Sequence, residues 1–236
     1  MKKTIILMTF FCLTTSIALA GGIDRAGPIP PIHTVAPALT VRAQYQNGPE
    51  GGSINQLAMF GSWQLTNKVG IGPYVFLGPN SAEIDLAVNV KLGRTGIWVS
   101  PVAGLIMDSA TGDLNYLAMD FIFGYSHPWL EFGSQNLYSD TADPDLNSEL
   151  FQRAWIQFGK VDTWHSRFGI QTEIFSPQNE IDQFLRSTTK LGPRVSFMTG
   201  PLRLDLFYGW VVHDPTPDID NDTEPTIRGW ASFTFK

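Results

Sequence analysis

Between residues 38 and 236, apolar and polar residues alternate with a period of two, and this restricts the chain to sheet more firmly than any other feature. Residues 82–92 set Ile84, Leu86, Val88, Val90 and Leu92 on one face and Glu83, Asp85, Asn89 and Lys91 on the other. Residues 201–212 set Leu202, Leu204, Leu206, Tyr208 and Trp210 against Arg203 and Asp205. Residues 226–236 set Ile227, Ala231, Phe233 and Phe235 against Arg228, Ser232 and Lys236. Successive side chains of a strand point to opposite faces, so one face seeks an apolar environment while the other accepts charge.

The first 20 residues read as a signal peptide: Lys2 and Lys3, a mostly apolar run over 5–13, and the small-x-small sequence Ala18-Leu19-Ala20 before Gly21. Its removal takes away two lysines and moves the formal charge from −6 to −8. The only cysteine, Cys12, leaves with it, so neither a disulfide nor a thiolate metal ligand is expected. Beyond the signal, no unbroken apolar run reaches the ~18 residues of a membrane helix. A membrane form would have to be a closed sheet, because lipid cannot satisfy open strand edges. The acidic balance argues against nucleic acid as a partner.

Residues 21–37 carry Pro28, Pro30, Pro31 and Pro37 and read as an extended lead-in. Twelve candidate strands follow, at about 38–46, 54–65, 69–77, 82–92, 95–107, 114–125, 128–137, 148–160, 163–175, 190–199, 201–212 and 225–236. The second, sixth and seventh alternate poorly, which leaves counts of ten, twelve or fourteen open. Joins after even strands are tight, as at Gly93-Arg94, Ser126-His127 and Gly200-Pro201, whereas joins after odd strands are mostly longer and polar. Outer-membrane barrels sort their loops this way, with short periplasmic turns and longer external loops, and a soluble sandwich has no reason to. Trp63, Trp98, Trp129, Trp164, Trp210 and Trp230 lie near strand ends or among the strands, where amphipathic rings favour a membrane interface.

The signal peptide, the alternating strands and the Phe233-Thr234-Phe235 ending resemble Gram-negative outer-membrane β-barrels, whose last strand usually ends in alternating aromatics. In size and strand count the chain is similar to the small twelve-stranded porins that admit acidic sugars. The resemblance implies an all-β fold, a closed antiparallel transmembrane barrel, over residues 38–236.

If the more apolar face of each strand meets lipid, the other face supplies the lumen. Arg42, Arg153, Arg167, Arg194, Arg203 and Arg228 then point inward from strands that are contiguous once the last pairs with the first. Glu83, Asp85, Asp120 and Glu131 point inward from the opposite arc, with Lys91 an exception there and Glu173 and Asp205 exceptions among the arginines. These ten residues are the expected pore lining. An arginine wall facing an acidic one sets a transverse field across the lumen, and guanidinium matches carboxylate or phosphate geometry. The opposing reading is that pairs such as Arg203–Asp205 and Arg167–Glu173 satisfy one another. Trp155, Phe207 and Trp230 also point inward and could close the lumen.

Other chemistry is weaker. Ser126-His127 and His165-Ser166 are adjacent, so on a strand each pair is split between faces, and no H-x-S occurs. His33 falls in the lead-in and His213 opens a loop. The run Asp218-Ile219-Asp220-Asn221-Asp222 evokes a calcium loop, but Thr223 replaces its glycine and Gly229 its terminal glutamate. A rim site with Asp140, Asp143, Asp145 and Glu149, or bridging through cations to lipopolysaccharide, is an alternative to a solvated acidic loop. Ser176-Pro177 could open a short helix carrying Ile181, Phe184 and Leu185.

The sequence thus leads to a monomer-capable outer-membrane barrel passing small hydrophilic, including anionic, solutes. Its expected partners are outer-membrane lipid, lipopolysaccharide and the solute, with no cofactor and no catalytic residue. A non-conducting or surface-binding barrel is the first alternative, and a lipid-acyl hydrolase or transferase the second.

Overall fold

The computed structural model describes residues 38–48, 51–92, 96–141, 148–160, 165–178, 188–213 and 225–235. The expected signal peptide, the lead-in, Trp164 and the Asp218–Asp222 run lie outside the described residues. Twelve strands form: β1 (Ala38–Gly48), β2 (Gly51–Gln64), β3 (Val69–Leu77), β4 (Ser81–Leu92), β5 (Ile97–Asp108), β6 (Leu114–His127), β7 (Leu130–Thr141), β8 (Ser148–Phe158), β9 (Ser166–Gln178), β10 (Thr188–Thr199), β11 (Leu202–His213) and β12 (Thr226–Phe235). Each pairs antiparallel with its sequence neighbours, and β1 pairs with β12 from Leu39↔Phe235 to Gln46↔Arg228, closing the barrel. Closure leaves no strand edge, which is the condition for a sheet to stand in lipid.

The alternation sorts outside from inside. Ile84 and Leu86 of β4, Leu117, Met119 and Phe121 of β6, and Leu204 and Leu206 of β11 are exposed on the outer surface. Their inward neighbours Glu83, Asp85, Arg203 and Asp205 are buried. This inverts a soluble protein, where large apolar side chains seek the interior, and matches an apolar outer band over a polar interior. Aromatic rings gather toward the short-turn end. Tyr125 stacks with His127 at 6.2 Å and His127 meets Trp129 edge-on at 5.3 Å, while Phe233 and Phe235 stand 4.8 Å apart.

The poorly alternating second and sixth segments are strands whose inner face is itself apolar. β2 turns Ala58 and Phe60 inward, and β6 turns Tyr116, Ala118 and Ile122 inward. One expectation is corrected: Ser176-Pro177 opens no helix but continues β9, pairing with Leu150 and Glu149 of β8. The residues expected to carry that helix, Ile181, Phe184 and Leu185, are outside the described set. The register shifts at Gln44/Tyr45, Ile106/Met107 and Thr189/Lys190 all fall toward the long-loop ends of their strands. Bulges of this kind concentrate at barrel rims.

Candidate functional site

All ten residues singled out from the sequence lie on the inner wall. Arg42, Arg153, Arg167, Arg194, Arg203, Arg228, Glu83, Asp85 and Glu131 are buried. Asp120, on the inner face of β6, accepts a hydrogen bond from Gln135 Nε2 at 2.7 Å. They are not arranged as two uniform walls.

Three carboxylates are interleaved with the arginines. Glu131 joins Arg167 and Arg203, the latter through Nη2 to Oε1 at 2.9 Å, and it also accepts from Trp155 Nε1 at 3.2 Å. Asp205 takes Arg203 Nε at 2.7 Å and Arg194 Nη2 at 2.8 Å. Glu173 takes Arg153 Nε at 2.8 Å and Arg228 Nη1 at 3.2 Å. Two expectations change as a result. Glu131 is no counterwall but the anion between two arginines, because its position one residue into β7 puts it level with Arg167 and Arg203, each one residue into its own strand. Arg167 pairs with it and not with Glu173, which stands farther along β9 beside Arg153 in the strand register (Arg153↔Glu173). The expected Arg203–Asp205 pair does form.

The arginines also stack on rings. Arg194 Cζ lies 5.0 Å from the Trp155 ring centre and 5.8 Å from that of Trp230, and Arg153 Cζ lies 5.4 Å from Trp230 and 4.7 Å from Phe151. The result is a continuous series, Trp155–Arg194–Trp230–Arg153–Phe151, drawn from β8, β10 and β12. Such contacts strengthen when water is excluded, and every member is buried. Gly133 makes room for it: a Cβ there would stand 2.4 Å from the Trp155 ring. Trp98 and Trp230 therefore face the interior and not a membrane interface, while Trp63, Trp129 and Trp210 are exposed. Each inward indole sits where its strand parity demands.

The interior of β2–β6 is of another kind. Phe60, Tyr74, Phe76, Trp98, Val102 and Ile122 form an apolar cluster with Ala58 and Ala87. Phe60 meets Tyr74 and Phe76 edge-on at 5.1 and 5.4 Å. Within it stand Glu83, Asp85 and Asp120, and no cation of these strands is buried among the described residues. Arg42 sits at the seam between the halves, its guanidinium 4.8 Å from the Phe60 ring centre.

One functional group escaped sequence reading. Lys190 is buried on the inner face of β10, where Nζ donates to Thr226 Oγ1 at 2.7 Å, and its even spacing from Arg194 was the signal that could have found it. Of the hydroxyl–histidine neighbours, Ser126 and His127 are consecutive on β6, while His165 precedes β9 at φ 52° and Ser166 begins it. Among the described residues no group of three or more His, Cys, Asp or Glu is placed to hold a metal ion. Of the candidate rim residues, Asp140 lies near the end of β7 and Glu149 near the start of β8, while Asp143 and Asp145 are outside the described set.

No protein-family model matches the chain, and no curated protein matches it in sequence. Solved structures do match in shape. The NanC porin superposes with a TM-score of 0.53 at 17% identity, covering 83% of this chain and 98% of that one. The KdgM porin gives 0.51 at 11% identity, covering 84% of this chain and 99% of that one, and the same values hold for its complex with disordered oligogalacturonate. At these identities the likeness is one of architecture. The chain has the closed twelve-stranded antiparallel fold of small outer-membrane porins.

Proposed function

We propose that the protein is a passive outer-membrane channel for small hydrophilic solutes and that anionic groups are drawn to its arginine-rich arc. One observation carries this reading: among the described residues, the inner wall from β7 through β12 to β1 holds seven buried cations, Arg42, Arg153, Arg167, Lys190, Arg194, Arg203 and Arg228, beside three buried carboxylates, Glu131, Glu173 and Asp205. Each of those carboxylates is shared by two of the arginines, and among the described residues the buried cations of the arc outnumber its buried carboxylates. Fixed charge on a low-dielectric wall attracts counter-ions and raises their local concentration. The KdgM porin, which shares the fold, is known in complex with oligogalacturonate, a polyanion. Transport of this kind calls for no cofactor and no covalent step. Residues 1–20 would direct export, lipid would contact the outer apolar band, and lipopolysaccharide would meet the acidic outer loops.

A specific observation favours the second reading, a non-conducting barrel: the stack from Trp155 to Phe151 and the buried Phe207 occupy the lumen. Twelve strands fall between barrels filled by side chains and those holding a water channel. Planar-bilayer recording under a salt gradient separates the two. Discrete steps with an anion-selective reversal potential are expected. Arg42→Gln and Arg228→Gln should each lower the anion-to-cation permeability ratio by about threefold, as expected for removing one focusing charge. Cation selectivity would overturn the assignment of the arginine arc. Silence from folded barrels would establish the closed reading.

A further inference from the structure

Across its middle, the outer wall of the barrel is apolar except in one place. The outward side chains at the centres of β4, β6, β10 and β11 include Leu86, Met119, Pro193 and Leu206. The centres of β7, β8 and β9 instead carry Ser134, Asn136, Gln152 and Thr172, whose sequence neighbours Gln135, Arg153, Gln171 and Glu173 are buried on the inner face. Among the described residues, no other strand turns an amide or an aliphatic hydroxyl outward at its centre. This is why β7 alternates poorly: its inner face is mostly polar, and so is the centre of its outer face.

These side chains form two rows. Asn136 faces Gln152 in the β7–β8 register, and Ser134, Ala154 and Thr172 follow one another across β7, β8 and β9. Asn136 Nδ2 donates to Phe121 O and to Ser134 Oγ, each at 3.2 Å, and its Oδ1 accepts from Gln152 Nε2 at 3.2 Å. Thr172 Oγ1 donates to the Lys190 carbonyl at 3.1 Å. The series ends at Gln152, whose Oε1 and second N–H take no partner among the described residues. Lipid tails have neither donor nor acceptor, so an amide left among them keeps the full cost of its lost water. Phe121 and Ile174, the register partners of Asn136 and Gln152 on the flanking strands, are apolar, so the patch stands within the lipid-facing band and not at its rim.

Ala154 holds the centre of the patch low, and small side chains let two walls approach closely enough for amides to reach across. An amide carries both donor and acceptor, so one Gln152 is complementary to another. Copies of one outer-membrane protein insert in one orientation, which brings the same residues to the same depth. A two-fold axis along the membrane normal then sets the patch against itself, whereas a three-fold ring would set it against the apolar wall of a neighbour. We infer that the β7–β9 face pairs two copies of this chain, with Gln152 of each barrel exchanging amide hydrogen bonds across the two-fold axis. The pairing shares with the channel reading only the placement in the outer membrane and holds whether or not the lumen conducts.

Single cysteines read the contact. Ala154→Cys and, on the opposite wall, Met59→Cys of β2 are refolded into lipid vesicles and oxidised. Heat-modifiable migration confirms folded barrels, and the wild-type protein is the blank. Ala154→Cys should yield a disulfide-linked dimer, and Met59→Cys should stay monomeric. Gln152→Leu placed beside Ala154→Cys should lower the dimer yield at high lipid dilution about tenfold, the scale of two interchain amide bonds in lipid. That substitution sets an apolar side chain against lipid, so the barrel itself keeps its fold. Equal linkage at both cysteines is random collision and would overturn the pairing, as would a yield indifferent to Gln152→Leu. So would an Ala154→Cys barrel that never links to itself but links to a different outer-membrane protein in whole cells. Folded barrels that do not conduct overturn the channel reading and leave the cross-link result untouched, whereas protein that does not insert overturns both.

Discussion

The two halves of the barrel interior solve the same burial problem by opposite means. From β7 through β12 to β1, buried carboxylates are held between cations: Glu131, Asp205 and Glu173 each bridge two arginines, and rings cover guanidinium faces. From β2 to β6 the filling is apolar, and the carboxylates it contains are left beside rings and small residues. An ion-paired network fixes geometry, whereas a buried carboxylate oxygen with no hydrogen-bond partner, such as Asp85 Oδ1, stores an unfavourable term in the same low dielectric. The charged half is thus held by its ion pairs and the aromatic half by ring packing.

The largest effect is expected at the centre of the charged half. Glu131→Gln removes the shared anion of Arg167 and Arg203 and leaves two guanidinium groups close together. Breaking a buried pair in this way costs about 4 kcal/mol, which urea unfolding in lipid vesicles would register. A loss below about 1 kcal/mol, the scale of an exposed pair, would mean that water reaches this network. Next comes Trp230→Ala, which empties the middle of the arginine–ring stack and deprives Gln44 Oε1 of its 2.6 Å bond from Trp230 Nε1. A loss of about 3 kcal/mol is expected from the missing ring. Single-channel conductance should rise at the same time, since the backbone ladder of β12 stays intact. Unchanged conductance would place the constriction elsewhere.

The sequence made these halves unequally legible. β4, β11 and β12 could be read strand by strand because their inner faces carry charge and their outer faces do not. β2 and β6 blurred for the reason that makes the aromatic half distinct: Phe60, Tyr116 and Ile122 are as apolar as the lipid-facing side chains behind them. Parity alone placed all ten candidate residues inside, yet it could not say which acid meets which arginine. Glu131 and Arg203 lie 72 positions apart, and their meeting depends on strand stagger and side-chain reach, which no local pattern encodes. Trp98 and Trp230 misled for a related reason, since an indole suits a membrane interface, an apolar cluster such as that around Trp98, and a stacked arginine such as those on Trp230 equally well.

The smallest expected effect is the most telling, because its sign is reversed. In the charged half, removing a carboxylate destabilises the barrel, since arginines lose their partner. Asp85→Asn removes a carboxylate that no described cation neutralises and keeps its shape over Gly104. An amide is far cheaper to desolvate than a carboxylate, and its new N–H groups face the acceptor oxygens of the acidic cluster. The ligand-free protein should therefore gain about 1 kcal/mol, a small part of the cost of burying an uncompensated charge. Urea unfolding of Asp85→Asn beside Glu131→Gln, in the same vesicles, reads both signs in one experiment. Opposite signs mean that the two halves carry their charge differently. A loss in both would mean that the surroundings of Asp85 hold its carboxyl group as firmly as the arginines hold Glu131.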